Sequence, residues 1–149
     1  MKIAVASDHG AFELKQKIVA YLQQKQGVEV LDLGTNNENE SVDYPDFAGK
    51  AAISIQKGEA NLAVIMCGTG IGISIAANKY KGIRAALCHD AYTAQMSKQH
   101  NNANILVMGG RTTGIEIAKQ MIDTWLVTEY ENGRHQLRLD KISEIERSQ

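Results

Sequence analysis

Cysteine occurs only twice in these 149 residues, and proline and tryptophan once each. Two thiols, Cys67 and Cys88, are too few for a disulfide framework and suit a reducing compartment. Neither sign of charge is in excess: 16 Lys and Arg stand against 17 Asp and Glu. No global field therefore argues for nucleic acid, an acidic membrane surface or a polyanionic partner, and the expected ligand is small. Apolar runs reach only about six residues where ~20 are needed to cross a bilayer, and Asp8 interrupts the short apolar start before a signal-peptide core can form. These absences predict a cytoplasmic protein with neither a membrane nor a nucleic-acid partner. Asn39-Glu40-Ser41 then reads as a chance match to a glycosylation sequon.

The length fits one domain, residues 1–149, large enough to bury roughly 68–70% of the surface of its unfolded chain. Lys2 to Ala6 reads as a first strand, and Phe12, Leu14, Ile18, Val19 and Leu22 then recur at helical spacing up to Gly27. Val28 to Leu33 is a second strand. A polar loop from Gly34 to Asp43 has the composition of a flexible lid, and Pro45 opens a helix running to about Lys57. Leu62 to Met66 is a strand apolar on both faces, followed by a helix from Ile73 to Asn78. Ile83 to Cys88 and Ile105 to Met108 are strands four and five, separated by a helix from Asp90 to about His100. A further helix runs from Thr112 to Trp125.

This βα alternation predicts an α/β fold, a three-layer αβα sandwich with a five-stranded parallel sheet and ligands at the carboxyl ends of the strands. After the break at Glu131-Asn132-Gly133, an amphipathic helix from about Arg134 to Glu146 has no strand behind it. It either packs on its own domain or reaches a second subunit.

Chemistry-bearing residues are expected just past the strands. The richest stretch is Cys67-Gly68-Thr69-Gly70-Ile71-Gly72-Ile73-Ser74, a thiol at a strand end with alternating glycines behind it. Glycines there admit close approach of a ligand to the backbone, and the unpaired amides of the following helix favour negative charge in front of them. Ser7-Asp8-His9-Gly10 follows strand one, with Asp8 either a helix cap or a ligand. Gln99-His100-Asn101-Asn102 is equipped for proton transfer and hydroxyl binding. Gly109-Gly110-Arg111 adds a cation. Arg134 and Arg138, one helical turn apart, form either a phosphate grip or a solvated basic face. These groups are expected to gather at one edge of the sheet.

Spacing disposes of several readings of the glycine loop. A dinucleotide fingerprint starting at Gly68 needs glycine where Ile73 stands, and no lysine follows the last glycine as a phosphate-binding P-loop requires. A cysteine phosphatase needs an arginine within the loop, and none occurs between Cys67 and Arg84. No paired short spacing of cysteines or histidines suggests a metal, and no cofactor is expected. A thiol beside a row of backbone donors suits removal of a carbon-bound proton next to a carbonyl. Cys67 then acts as base, and the Gly68–Gly72 amides hold the enediolate oxygen that forms.

The sequence resembles the type B ribose-5-phosphate isomerases, within the ribose/galactose sugar-phosphate isomerase family. The likeness spans nearly the whole chain and rests on Ser7-Asp8-His9-Gly10, Asp43-Tyr44-Pro45, the run from Cys67 to Lys79, Gly82-Ile83-Arg84-Ala85, Gln99-His100-Asn101, and Gly133-Arg134-His135-Gln136 with Arg138. It implies a Rossmann-like homodimer or tetramer whose sites draw on two subunits, and a small sugar phosphate as substrate. By resemblance, Cys67 moves the proton between C1 and C2 beside Thr69, and His100 opens the furanose ring. Asp8, Asn101 and Tyr44 would hold the sugar. The backbone of Gly68, Gly70, Ile71 and Gly72 would hold the enediolate, and His9, Arg111, Arg134 and Arg138 the phosphate. The loop from Asn36 to Val42 varies among relatives, which leaves hexose 6-phosphates (allose or galactose) as alternative substrates. A non-catalytic sugar-phosphate sensor is a third reading.

Overall fold

The computed structural model describes residues 1–149. Its strands are β1 (Lys2–Ser7), β2 (Glu29–Asp32), β3 (Leu62–Cys67), β4 (Ala85–Leu87) and β5 (Ile105–Gly109). The helices are α1 (Phe12–Gln23), α2 (Tyr44–Gln56), α3 (Ile71–Ala77), α4 (Ala91–Asn101), α5 (Ile115–Val127) and α6 (Arg134–Arg147). Every strand pair is parallel, in the order β2-β1-β3-β5-β4.

Alternation along the strands builds a core on each face. Ile3 and Val5 of β1 point to the side where Leu14, Ile18 and Leu22 of α1 meet Met121, Ile122 and Trp125 of α5. Ala4 and Ala6 point the other way, with Ala63, against Phe47, Ala48, Ala51 and Ala52 of α2. The first face is filled by large side chains, each contributing about 1.5–3 kcal/mol on full burial. The second is lined with alanine, so α2 lies close on the sheet. This is the expected three-layer arrangement.

Three boundaries differ from the sequence reading. β4 is only Ala85–Leu87, because it is an edge strand paired with β5 alone, and Ile83 and Cys88 are buried at its ends rather than within the ladder. α5 begins at Ile115, since Thr112 and Thr113 fold back in a turn onto the carbonyl of Gly109. α3 begins at Ile71, two residues early, because Gly70 takes a left-handed conformation (φ 79°) and caps it directly.

The strand order determines where a ligand can enter. From β1 the chain moves to β2 on one side, then returns to place β3 on the other. The carboxyl ends of β1 and β3 thus diverge into a crevice at the switch point, the general ligand position in open parallel sheets. The ends meeting there are Ser7-Asp8 and Cys67-Gly68. α6, with no strand to cover, packs against α4 and buries only His135 and Leu139. Ile142 and Ile145 stay exposed along a groove of about 650 Å³ that they share with Ile83 and Ala103.

Candidate active site

At the carboxyl edge, Cys67 ends β3 as a buried free thiol. The loop behind it is held by β5 and the residues after it: Gly110 N–H donates to the carbonyl of Cys67 at 2.8 Å, and Arg111 N–H to that of Gly68 at 2.9 Å. The amides of Gly68, Thr69 and Gly70 donate to no backbone carbonyl, which leaves a row of donors beside the thiol. The exposed Thr69 hydroxyl accepts loosely from the Ile71 amide at 3.4 Å. Gly70 has no room for a side chain: a Cβ would lie 2.9 Å from the backbone of Met108 and 2.6 Å from Leu87. Gly72, inside the first turn of α3, leaves the space that the Tyr44 ring occupies, since a Cβ there would come within 2.6 Å of it.

Asp8, at the end of β1, faces this loop. A Cβ on Gly10 would lie 3.3 Å from both Asp8 Oδ1 and the Gly68 amide, so the carboxylate and the loop are neighbours. Asp8 is buried, and its Oδ1 has no partner; burial raises its pKa above the ordinary value, against the smaller opposing pulls of His9, the Gly10 amide, Arg111 and the Ala11 amide. Ser7 Oγ is likewise buried and unpartnered. Unsatisfied buried polar atoms cost stability, and here they cluster where a hydroxylated ligand would satisfy them. His9 Nδ1 accepts from the Val42 amide at 3.2 Å, so in the neutral ring Nε2 carries the proton and is a donor. That bond, with Thr35 N–H to the Ser7 carbonyl at 3.0 Å, pins the polar loop at both ends. Arg111 lies against Gly68, 3.5 Å from where its Cβ would be. Asp8, His9, Tyr44, Cys67, Thr69, the glycine loop and Arg111 therefore belong to one edge.

The other group does not join them. α4 runs antiparallel to the strands, so its last turn delivers His100 and Asn101 to the amino edge, where Arg84, just ahead of β4, donates from Nε to the carbonyls of Asn101 and Asn102. There they line a pocket with Arg134, His135 and Arg138. An 11-residue helix is about 16 Å long, which sets the scale of the separation. The expectation of a single edge is thus corrected: a helix between two parallel strands reverses direction, and its end falls opposite the carboxyl tips of the sheet.

No arginine takes part in an ion pair. Arg134 and Arg138 are exposed, one turn apart, and Arg138 Nη1 donates to the Arg134 carbonyl at 2.9 Å. Two cations without carboxylate partners on one helix face are equipped for an anion. The pocket also contains a stack that composition did not announce. The His100 and His135 rings lie 4.2 Å apart, within 13° of parallel, and Glu131 Oε2 is 3.0 Å from His135 Nε2 and 4.0 Å from His100 Nε2. Their ligand atoms fall within 4.8 Å of one another, a donor set that zinc uses. Nearly parallel rings, however, direct their in-plane lone pairs side by side rather than toward one point, which suits hydrogen bonding better than chelation. The signal for this cluster was the Glu131–His135 spacing of four at a helix start.

Known proteins match this chain along nearly its whole length. A model of the Ribose/Galactose Isomerase family matches residues 3–142. The chain belongs to this family. Among its Ribose/Galactose Isomerase relatives is a ribose-5-phosphate isomerase B of Escherichia coli (strain K12), 50% identical over 145 residues that cover 97% of this chain and 96% of that protein. Another is a D-erythrulose-4-phosphate isomerase of Pectobacterium atrosepticum, 42% identical over 98% of this chain and 95% of the relative. The solved structure of ribose-5-phosphate isomerase B from Clostridium thermocellum superposes with a TM-score of 0.96 at 51% identity, covering 99% of each chain. Relatives in this isomerase family thus match both edges of the fold, including α6. No helix is long and apolar enough to cross a membrane.

Proposed function

We propose that this protein interconverts ribose 5-phosphate and ribulose 5-phosphate through an enediolate, in sites completed by a second copy of the chain. The observation that carries this reading is the separation of its chemistry onto two edges. A thiol, a buried carboxylate and a donor loop stand on one edge, and a histidine, an amide and two unpaired arginines stand on the other. Neither half suffices for isomerising a ring-closed sugar phosphate, and one chain cannot bring them together. Two chains related by a two-fold axis can, because such an interface presents the amino edge of each to the carboxyl edge of the other. The exposed apolar side of α6 supports the same arrangement.

The residues divide the reaction as follows. His100 opens the furanose by taking the proton of the anomeric hydroxyl and delivering it to the ring oxygen as the bond between that oxygen and C1 breaks, with Asn101 on the adjacent hydroxyl. Cys67 removes the proton from C2 and returns it to C1, while the hydroxyl proton of O2 passes to O1, so that the C1 carbonyl becomes a hydroxyl and the C2 hydroxyl a carbonyl. As charge develops on the carbonyl oxygen, the amides from Gly68 to Gly72 meet it without reorganising, which makes such donors effective. Asp8 and Tyr44 hold hydroxyls, Thr69 stands beside the thiol, and His9, Arg111, Arg134 and Arg138 take the phosphate. No metal or organic cofactor is assigned a step. The two free cysteines suit a cytoplasmic location.

Turnover across tetrose, pentose and hexose phosphates, with a chelator present, tests this function. Ribose 5-phosphate is expected to give the highest kcat/KM, and Cys67→Ala to lose it. Undiminished turnover in that variant, or preference for a hexose 6-phosphate, overturns the assignment. A tetrose 4-phosphate is the second reading, favoured by the activity named for the Pectobacterium relative.

A further inference from the structure

We propose that Glu131 is a positioning residue for His100, acting through His135. The inference rests on the ring-opening role assigned to His100 above. Glu131 makes two contacts that join the elements lining the amino-edge pocket. Its backbone N–H donates to the carbonyl of Gln99 at 3.0 Å, tying the turn before α6 to the last turn of α4. Its carboxylate lies 3.0 Å from His135 Nε2. A carboxylate only accepts, so the proton of that bond belongs to His135 Nε2, which fixes both the tautomer and the plane of the ring. The turn is built for this: Asn132 and Gly133 both take positive φ (62° and 55°), reversing the chain so that residue 135 falls back under residue 131.

The fixed ring of His135 is the surface on which His100 rests. His135 is buried, whereas the side chain of His100 is 36% exposed and makes no hydrogen bond of its own. Its plane is set by the 4.2 Å stack and by Glu131 Oε2 at 4.0 Å. An imidazole that must reach a ring oxygen depends on orientation, and displacing it by about 1 Å costs up to about a hundredfold in rate. Arg134 and Arg138 begin the same helix, and their charges repel a cation placed beside them. None of the residues lining the pocket is acidic, and the Glu131 carboxylate is the one that meets both rings. Glu131 itself is exposed and need not touch substrate.

The test uses the full-length protein and the variants Glu131→Ala, Glu131→Gln and His100→Ala. Each is assayed on ribose 5-phosphate and on its 4-deoxy analogue, which has no hydroxyl to close the furanose. Glu131→Ala is expected to lower kcat on ribose 5-phosphate about tenfold, equivalent to about 1.4 kcal/mol, with KM changed less than about threefold and the analogue unaffected. Glu131→Gln, whose side-chain oxygen can accept the same proton, is expected to recover most of that loss. Nitrogen NMR of the imidazoles should show His135 as the Nε2–H tautomer in the wild type and in Glu131→Gln, and a mixture in Glu131→Ala. Wild-type kinetics and an unchanged His135 signal in Glu131→Ala would overturn the proposal, as would a Gln variant as impaired as the Ala one. Failure of the underlying reading looks different: His100→Ala would slow both substrates equally.

Discussion

Replacing Gly70 by alanine tests whether the glycine loop is rigid because the sheet holds it. Two costs combine at this position. The left-handed conformation (φ 79°) disfavours any Cβ by about 1–2 kcal/mol. The new methyl would also meet Leu87 Cδ1 at 2.6 Å and the Met108 carbonyl group at 2.9 Å. Leu87 can turn its methyl away, but Met108 lies in β5, paired with β3 on one side and β4 on the other, so its backbone cannot yield without disturbing both. Overpacking of this kind adds about 1–3 kcal/mol, for a total of about 2–5 kcal/mol out of the ~5–15 kcal/mol that stabilises a typical domain. Gly58 is the control, with nearly the same φ (71°) and nothing within 4 Å of its Cβ position, so alanine there carries the conformational cost alone. Urea unfolding followed by circular dichroism measures both. With a slope of about 2 kcal/mol per molar, a difference of 2 kcal/mol between the variants appears as about 1 M in midpoint. Midpoints that agree within about 0.2 M would show that the close approach to β5 carries no steric cost and that the sheet does not hold the loop rigid.

Asp8→Asn is expected to stabilise the protein while abolishing substrate binding. Burial raises the Asp8 pKa above its ordinary 3.8, so between that value and the raised one the native state holds a proton that the unfolded chain releases. Wild-type stability therefore falls as pH rises through that window and stays lowered above it. The Tm advantage of Asn should be present at pH 7 and vanish below the ordinary value; an advantage constant in pH contradicts it. Asp32→Ala leaves Lys15, whose side chain is wholly buried and held at 2.8 Å, without its counter-ion. Since Asp32 is partly exposed, a loss of about 2–4 kcal/mol in urea unfolding is expected, somewhat below the cost of breaking a fully buried pair, and a loss under about 0.5 kcal/mol counts against it. If Arg138 takes the phosphate as proposed, Arg138→Ala should raise KM for the sugar phosphate with little change in kcat; an equal loss in kcat would move Arg138 into the reacting centre.

The layers, the succession of strands and helices, and the position of Asp8 and Cys67 at the ends of β1 and β3 were legible because each depends on local pattern. The apolar run before Cys67 and the helical spacing of Leu14, Ile18 and Leu22 are visible without knowing what they pack against. The placement of His100 was not legible, because which edge a helix end reaches follows from the direction of the whole crossover and not from the residues at the end. Glu131 escaped for a related reason: its partners, Gln99 and His135, come together only when α6 folds back on α4. Boundaries such as the start of α3 turned on a single left-handed glycine, which spacing alone does not distinguish from the two beside it.

Subunit complementation tests directly whether each active site is assembled from two chains. Cys67→Ala and His100→Ala chains, each inactive on ribose 5-phosphate, are mixed in equal amounts, unfolded and refolded together. Random pairing makes half the dimers mixed. In each mixed dimer one site carries both substitutions and the other carries neither, so activity should return to about a quarter of the wild-type value. If mixed dimers form and the preparation stays inactive, the two half-sites do not meet across the interface and the proposed mechanism is wrong.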